Sequence, residues 1–152
     1  MKFNFVSVSK AGFKRAKNED YVGVYNFDRA LLCVVCDGLG GNNAGEIAAK
    51  LSVETIHKSF LLLNNIDPLE KIKLSILDAN QSLLDKTITE HSLKGMATTV
   101  EAFYLTDSTA YWGHVGDSRI YNIKKGKLKQ LTKDHSLVQR LIDEGYLSIK
   151  EA

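Results

Sequence analysis

One aspartate of this 152-residue chain stands where a strand ends and glycines begin. Asp37 follows the run Leu31–Cys36, which is apolar at every position, and Gly38 comes directly after it. Because Gly38 has no Cβ, its carbonyl can approach a cation closely. Carboxylate and carbonyl oxygens are the ligands that magnesium and manganese prefer. The segment therefore predicts a divalent-metal site.

A second polar cluster precedes the predicted strand Tyr21–Phe27. It places the guanidinium of Arg15 a few residues before the adjacent carboxylates of Glu19 and Asp20. On a loop, charged residues such as these usually contact solvent and have no further role. Its position just before a strand makes it a candidate functional cluster only in combination with Asp37.

Two further clusters follow later strands. Asp117 stands between Gly116 and Ser118 after the apolar run Ala110–Val115, and Gly-Asp-Ser is also ordinary turn chemistry. Asp134 and Ser136 precede a predicted helix, where a helix N-cap is a sufficient interpretation. Taken alone, the second of these clusters is explained by capping, whereas the Asp117 cluster leaves both a turn and a functional role open.

The glycine cluster does not fit the common phosphate-binding loops. Gly40 and Gly45 have the P-loop spacing, but Glu46 and Ile47 stand where that loop needs Lys and Ser or Thr. A carboxylate at this point would repel phosphate. The interval from Gly40 to Gly45 is also wrong for the dinucleotide-binding fingerprint.

The predicted elements run as strands, two helices, more strands and a last helix. The strands are predicted at Lys2–Ser9, Tyr21–Phe27, Leu31–Cys36, Thr98–Tyr104, Ala110–Val115, Ile120–Ile123 and Leu128–Leu131. The helices are predicted at Glu46–Leu62, from Asp67 to about Glu90, and from Ser136 to Gly145. This order favours an α+β fold with largely antiparallel sheet. The wholly apolar run is typical of a central strand covered on both faces.

Composition and charge exclude several classes of protein. The chain is 44% apolar and 25% charged, with a formal net charge of +2, which is typical of a globular domain and gives no nucleic-acid footprint. Its apolar runs are far shorter than the ~20 residues of a membrane span, and the first residues lack a signal-peptide pattern, so we expect a cytoplasmic protein. Cys33 and Cys36 would point to opposite faces of a strand, which favours core cysteines over a disulfide or a zinc site.

Five motifs, in this order, make the chain resemble the metal-dependent protein phosphatases of type 2C. They are Arg15-x-x-Asn18-Glu19-Asp20, Asp37-Gly38-Leu39-Gly40-Gly41 with Gly45-Glu46, Met96-Ala97-Thr98-Thr99, Gly116-Asp117-Ser118-Arg119-Ile120-Tyr121, and Leu131-Thr132-x-Asp134-His135-Ser136. The resemblance implies an antiparallel β-sandwich flanked by helices. It also implies a protein serine/threonine phosphatase that uses two magnesium or manganese ions and acts on phosphorylated proteins opposite a kinase.

The same resemblance assigns roles to individual residues. Asp37 and the Gly38 carbonyl would bind the paired ions, and Asp117 would bind a third ion more weakly. Glu19 and Asp20 would hold waters at the metal centre, and Arg15 would grip the substrate phosphate. The family's proposed catalytic histidine has no counterpart, because Leu39 and Asn42 stand at the corresponding places.

The resemblance also implies a region that this chain does not contain. Family members continue with a Ser-Asp-Gly motif and a terminal Asp-Asn, whose aspartates complete the paired metal site. The helix-start pattern from Ser148 to Glu151, one residue before the last, likewise predicts a C-terminally incomplete single domain that lacks its last strands. Alone, such a chain is expected to be inactive or weakly active. The alternative is a non-catalytic phosphoprotein-binding or regulatory fragment.

Overall fold

The computed structural model describes residues 3–13, 17–40, 44–149 and 151. In chain order its strands are β1 Asp20–Asn26, β2 Ala30–Leu39, β3 Ala97–Thr98, β4 Val100–Thr106, β5 Ala110–Val115, β6 Tyr121–Lys124 and β7 Lys127–Gln130. Its helices are α1 Ala44–Leu62, α2 Pro68–Thr89 and α3 Leu137–Asp143, with a short 3₁₀ turn at His91–Leu93. Five of the predicted strands lie within two residues of their predicted bounds, β2 runs three residues past its predicted end at Cys36, and β3 was not predicted as a separate strand.

The described strands form two antiparallel sheets. The larger sheet has the order β1-β2-β4-β5, and β3 pairs with β2 just beyond the start of β4. The smaller sheet is the hairpin of β6 and β7. The α+β class with antiparallel sheet is confirmed, and so is the central position of β2.

Both long helices pack on one face of the larger sheet. The β2 side chains on that face, Leu32, Val34 and Cys36, are fully buried against α1 and α2. The remaining buried residues of this core are Ala49, Val53, Ile56, Phe60, Ile72, Ala79, Val100 and Ala102. On the opposite face Val35 is 42% exposed, so the prediction that β2 is covered on both faces is wrong at this position. The helices account for one face only.

The predicted strand Lys2–Ser9 does not form in its described part. Residues 3–9 have no ladder partner and run over the sheet face away from the helices. They line a cleft there together with Val22, Val24 and Val35. The alternation of apolar side chains indicated contact with an apolar surface, but a strand also needs a neighbouring strand to pair with its backbone.

Helix starts and tight turns follow the sequence signals. The Asp67 carboxylate accepts hydrogen bonds from the backbone N–H groups of Leu69 (2.9 Å) and Glu70 (3.3 Å), which caps α2. Ser136 caps α3 by accepting from the N–H of Gln139 at 3.1 Å. The β6–β7 turn places Gly126 at φ +74°, a conformation that glycine adopts without steric cost.

The two cysteines are free and differ in burial. Cys36 is fully buried, and Cys33 is half-buried on the other face of β2. Burial raises the pKa of the Cys36 thiol to about 12. It is an unreactive core residue, as predicted.

A close contact between two glycines joins β2 to the first turn of α1. A Cβ added to Gly38 would lie 2.0 Å from the carbonyl oxygen of Gly45 and 2.8 Å from that of Glu19. The Gly38 N–H donates to the Glu19 carbonyl at 3.1 Å. The glycine at this position is therefore required by backbone packing, beyond the access for a cation that the sequence suggested.

A second contact fastens the loop before α3 to the segment after β5. The Arg119 guanidinium donates to both carboxylate oxygens of Asp134, at 2.8 and 2.6 Å. Hydrogen bonds from Arg119 hold the pKa of the Asp134 carboxyl below its ordinary value of 3.8. Asp134 thus closes this loop rather than capping α3.

We predict that Gly38→Ala destabilises the protein by about 3 kcal/mol or more, because the new methyl group would overlap backbone atoms that cannot rotate away. The matched control is Gly12→Ala, since a Cβ at Gly12 would meet no atom of the described residues within 4 Å. We expect its effect to stay within about 0.5 kcal/mol. Urea unfolding of both variants measures the difference. Equal stability of the two variants would contradict the packing described here.

We predict that Asp134→Asn lowers the melting temperature at neutral pH and has no effect in strong acid. A carboxyl whose pKa is lowered by folding stabilises the protein above its ordinary pKa and loses that stabilisation as the pH falls through its folded value. The difference in melting temperature between wild type and variant should disappear below pH 3.8. Calorimetric melts across this range test it, with Asp28→Asn in the exposed β1–β2 turn as control. A gap that stays constant with pH would refute the argument.

Candidate metal centre

The pairing of β1 with β2 brings two carboxylates together at one end of the sheet. Asp20 and Asp37 are direct cross-strand partners, so their side chains leave the same face of the sheet. Opposed Cβ atoms in an antiparallel pair lie about 4.5–5.5 Å apart, and like charges at this separation repel. Glu19 precedes β1 directly and adds a third carboxylate. A cation between these groups would relieve their repulsion.

These three carboxylates line one cleft of about 490 Å³. Its other residues include Lys10 and Lys17, so positive and acidic side chains line the same cleft. Glu19 lies at the inner wall, where a Cβ added to Gly45 would be 2.6 Å from the Glu19 Oε1 atom. The cleft therefore combines hard oxygen ligands with cationic groups that suit an anionic ligand.

Two threonines hold the main chain of Asp37. The Asp37 N–H donates to the Thr99 hydroxyl at 3.0 Å, and the Thr99 N–H donates to the Asp37 carbonyl at 2.9 Å. The Thr98 hydroxyl donates to the same carbonyl at 2.9 Å. Both peptide groups of Asp37 are thereby fixed, which orients its carboxylate toward the cleft that it lines.

The turn that carries Asp117 docks beside the same threonines. Gly116 adopts φ +104°, and a Cβ there would lie 2.6 Å from the Thr99 Cγ2 atom. The Ser118 hydroxyl lies 2.8 Å from the Thr99 hydroxyl. Asp117 itself is exposed. This turn therefore belongs to the end of the sheet that carries Asp37.

Glu101 on β4 and His114 on β5 form a buried pair on the sheet face that also carries Val35 and Asp37 of β2. Glu101 Oε1 is 2.5 Å from His114 Nδ1, and the His114 Nε2 atom lies 2.8 Å from the Lys133 carbonyl oxygen. Both side chains are less than a tenth exposed. Burial raises the pKa of the Glu101 carboxyl, and the nearby His114 opposes that shift.

The sequence analysis did not identify this pair. A charged residue in the apolar strand Val100–Thr106 was the available signal. The partner of Glu101 becomes visible only once the β4–β5 register places His114 opposite it.

The donor set suits a divalent metal in kind. Asp20, Asp37 and Glu19 offer carboxylate oxygens, which hard cations prefer to nitrogen or sulfur ligands. Within the part of the chain that the structure describes, no group of three or more His, Cys, Asp or Glu side chains converges on one metal position. The described residues thus fit part of a metal's ligand shell.

The structure brings most of the predicted site residues together. Glu19, Asp20, Asp37 and Gly38 meet where β1, β2 and α1 begin or end, and Asp117 lies in the turn that docks on Thr99. Arg15, the predicted phosphate-binding residue, lies outside the described residues. Among the described residues, none forms a helix long and apolar enough to cross a bilayer.

Comparison with known sequences gives concordant matches. The family described as Protein phosphatase 2C matches residues 14–141. Protein phosphatase PhpP of Streptococcus pneumoniae is 31% identical over 148 residues, which are 95% of this chain and 60% of that protein. The serine/threonine phosphatase stp of Listeria welshimeri is 34% identical over 143 residues, which are 91% of this chain and 57% of that protein.

Solved structures agree with the sequence matches. The catalytic domain of the serine/threonine phosphatase PstP, in complex with two manganese ions, superposes with a TM-score of 0.81 at 35% identity, over 95% of this chain and 61% of that domain. Serine/threonine phosphatase Stp1 from Staphylococcus aureus gives a TM-score of 0.85 at 33% identity, over 95% of this chain and 58% of that one.

The chain thus spans about 60% of the length of the relatives that it matches first. The match nevertheless covers the greater part of this chain and includes the three carboxylates of the cleft, Glu19, Asp20 and Asp37. The fold, the order of motifs and the extent of the match assign the chain to the protein phosphatase 2C family.

Proposed function

We propose that this protein is a metal-dependent protein phosphatase that hydrolyses phosphoserine and phosphothreonine. The observation that carries the proposal is the cross-strand pair Asp20 and Asp37, which with Glu19 lines one cleft. The solved PstP domain, to which the chain is similar, is in complex with two manganese ions. The relatives are named as serine/threonine phosphatases. The carboxylate pair, the manganese ions in the PstP domain and the names of the relatives support a phosphatase that uses manganese or magnesium.

Each acidic residue has a proposed task that suits its position. Asp37, with its main chain held by Thr98 and Thr99, and the Gly38 carbonyl would hold the paired ions. When bound, divalent ions lower the pKa of a coordinated water and neutralise phosphoryl oxygens. Glu19 and Asp20 would accept hydrogen bonds from water and orient it. Asp117 would hold a third ion.

The substrate phosphate would be bound by cationic side chains. Arg15 would donate two parallel hydrogen bonds to phosphate oxygens, a geometry that its planar guanidinium favours. Lys10 and Lys17 line the cleft that holds the carboxylates and would attract an anionic phosphoprotein. An opposing serine/threonine kinase and a cytoplasmic location belong to the same proposal.

A second candidate is a phosphoprotein-binding or regulatory fragment without turnover. It is favoured by the incomplete ligand set, since the described residues contain no group of three metal-binding side chains around one position. The two functions share the cleft and differ in whether further carboxylates complete the metal shell. The reading frame after Ala152 separates them, because an immediate stop codon would favour the fragment.

We predict that the protein expressed from its whole reading frame hydrolyses p-nitrophenyl phosphate with manganese and loses that activity in excess chelator. Asp37→Asn should lower the rate at least about 100-fold, because it removes the charge that balances the ions. Asp28→Asn, in the exposed β1–β2 turn, is the matched control and should keep its activity. Undiminished hydrolysis in chelator, or by the Asp37 variant, would reject the proposed function.

We predict that the 152-residue chain binds manganese at least about tenfold more weakly than a longer protein that supplies the remaining ligands. Fewer charged ligands lower the affinity for a divalent ion. Calorimetric titration of both proteins measures the ratio. Equal affinity would show that the residues of this chain already form the whole binding site.

A further inference from the structure

The junction between β3 and β4 touches both segments that carry the proposed metal-binding aspartates. We propose that Thr99 and Ser118 are positioning residues whose paired hydroxyl groups lock the Asp37 strand end to the Asp117 turn. Ion binding at Asp37 and ion binding at Asp117 are then coupled through this pair. The inference rests on the proposed function, because it concerns the same metal centre.

The Asp37 side of the contact fixes a main-chain position. Thr99 accepts a hydrogen bond from the Asp37 N–H through its hydroxyl and donates one to the Asp37 carbonyl through its own N–H. These bonds lie on both sides of the Asp37 Cα atom. The remaining freedom of the carboxylate is rotation about its side-chain bonds.

The Asp117 side is held by the same threonine through both branches of its side chain. The hydroxyl is 2.8 Å from the Ser118 hydroxyl, and the methyl group packs where a Gly116 Cβ would otherwise lie, 2.6 Å away. The Gly116 carbonyl also accepts from the His135 N–H at 2.7 Å. The turn is therefore held on two sides, with Asp117 between the contacts.

The Thr99 hydroxyl takes part in hydrogen bonds to both segments. Its hydroxyl oxygen accepts from the Asp37 N–H, which leaves its own hydrogen available for the Ser118 oxygen. Successive hydrogen bonds polarise and strengthen one another. A displacement of one aspartate is thus transmitted to the other through two bonds.

Half-exposed hydroxyls on neighbouring segments can meet by chance, but the geometry here points to a positioning role. Thr99 contacts the two flanking residues of Asp117 with chemically different groups, and it also brackets Asp37. Partners behind metal-binding residues set the orientation of those residues, and their loss typically costs about 10–100-fold in metal affinity. We expect an effect of this size from the loss of one hydroxyl.

The test uses manganese titration, by calorimetry, of the protein expressed from its whole reading frame, in three single variants and one double variant. Thr99→Val keeps the shape and the methyl contact but removes the hydroxyl, and it should weaken manganese binding at least about tenfold. Thr99→Ser keeps the hydroxyl and should stay within about threefold of wild type. Ser118→Ala should weaken mainly the lower-affinity binding event, and adding it to Thr99→Val should cost little more, because both changes break the same bond.

The matched control is Ser108→Ala. Ser108 also lies next to a threonine hydroxyl, that of Thr109 at 3.4 Å, but in the β4–β5 turn at the other end of the sheet. Its manganese titration should equal that of wild type. Hydrogen exchange of the Asp37 amide, measured without metal, should quicken in Thr99→Val and remain slow in Thr99→Ser.

The outcomes separate this inference from the proposed function. Unchanged manganese affinity and an unchanged exchange rate of the Asp37 amide in Thr99→Val would overturn the inference. The proposed phosphatase function would still stand in that case, provided that the wild-type protein binds manganese. Additive losses in the double variant would show that the two hydroxyls act separately, which would also overturn it. A wild-type protein that binds no manganese would overturn the proposed function and the coupling with it.

Discussion

The register between β1 and β2 is the constraint on which the site depends. Asp20 faces Asp37 because Leu32, Val34 and Cys36 must all point into the helix-covered core, where each is fully buried. A slip of one residue would turn this entire set to the opposite face. The apolar core therefore fixes the positions of the carboxylates, although it lies on the other side of the sheet.

Repulsion between the carboxylates at the end of the larger sheet destabilises the folded protein, whereas burial of the apolar core stabilises it. Two carboxylates on paired positions repel, and Glu19 adds a third negative charge beside the first turn of α1. The N-terminus of α1 is the positive end of the helix dipole and offsets part of this repulsion. The remainder is available to a bound cation, so the same geometry that costs stability in the protein alone favours metal binding.

Local signals predicted the elements that local chemistry decides. Ser136 caps α3, as the sequence indicated, and Asp67 caps α2 at the predicted start of that helix. The strand predicted at residues 3–9 is wrong, because strand formation depends on a partner distant in the chain. The exposure of Val35 was missed for a related reason, since composition does not say which face the helices cover.

The sequence motifs predicted which residues form the site, but they did not predict the contacts that hold those residues in place. Asp37, Gly38, Glu19 and Asp20 were found from residue type and spacing, and the structure joins them at one place. The close contact of Gly38 with Gly45 and the hydroxyl pair of Thr99 and Ser118 depend on distances between segments, which one sequence does not contain. The motifs therefore identified the candidate metal-binding residues, and the fold provides the contacts that hold them in position.

The pair of Glu101 and His114 bears on how protons are handled near this centre. Nε2 of His114 faces a carbonyl, which can only accept, so that nitrogen carries a hydrogen; Nδ1 and Glu101 then share one more proton. Burial of Glu101 raises the pKa of its carboxyl and favours that shared proton. The pair is therefore neutral as a unit and adds no charge beside Asp37. Both ring nitrogens of His114 are held by protein atoms, and the side chain does not line the carboxylate cleft, so the described contacts give the pair a structural role that ties β4, β5 and the segment before α3 together.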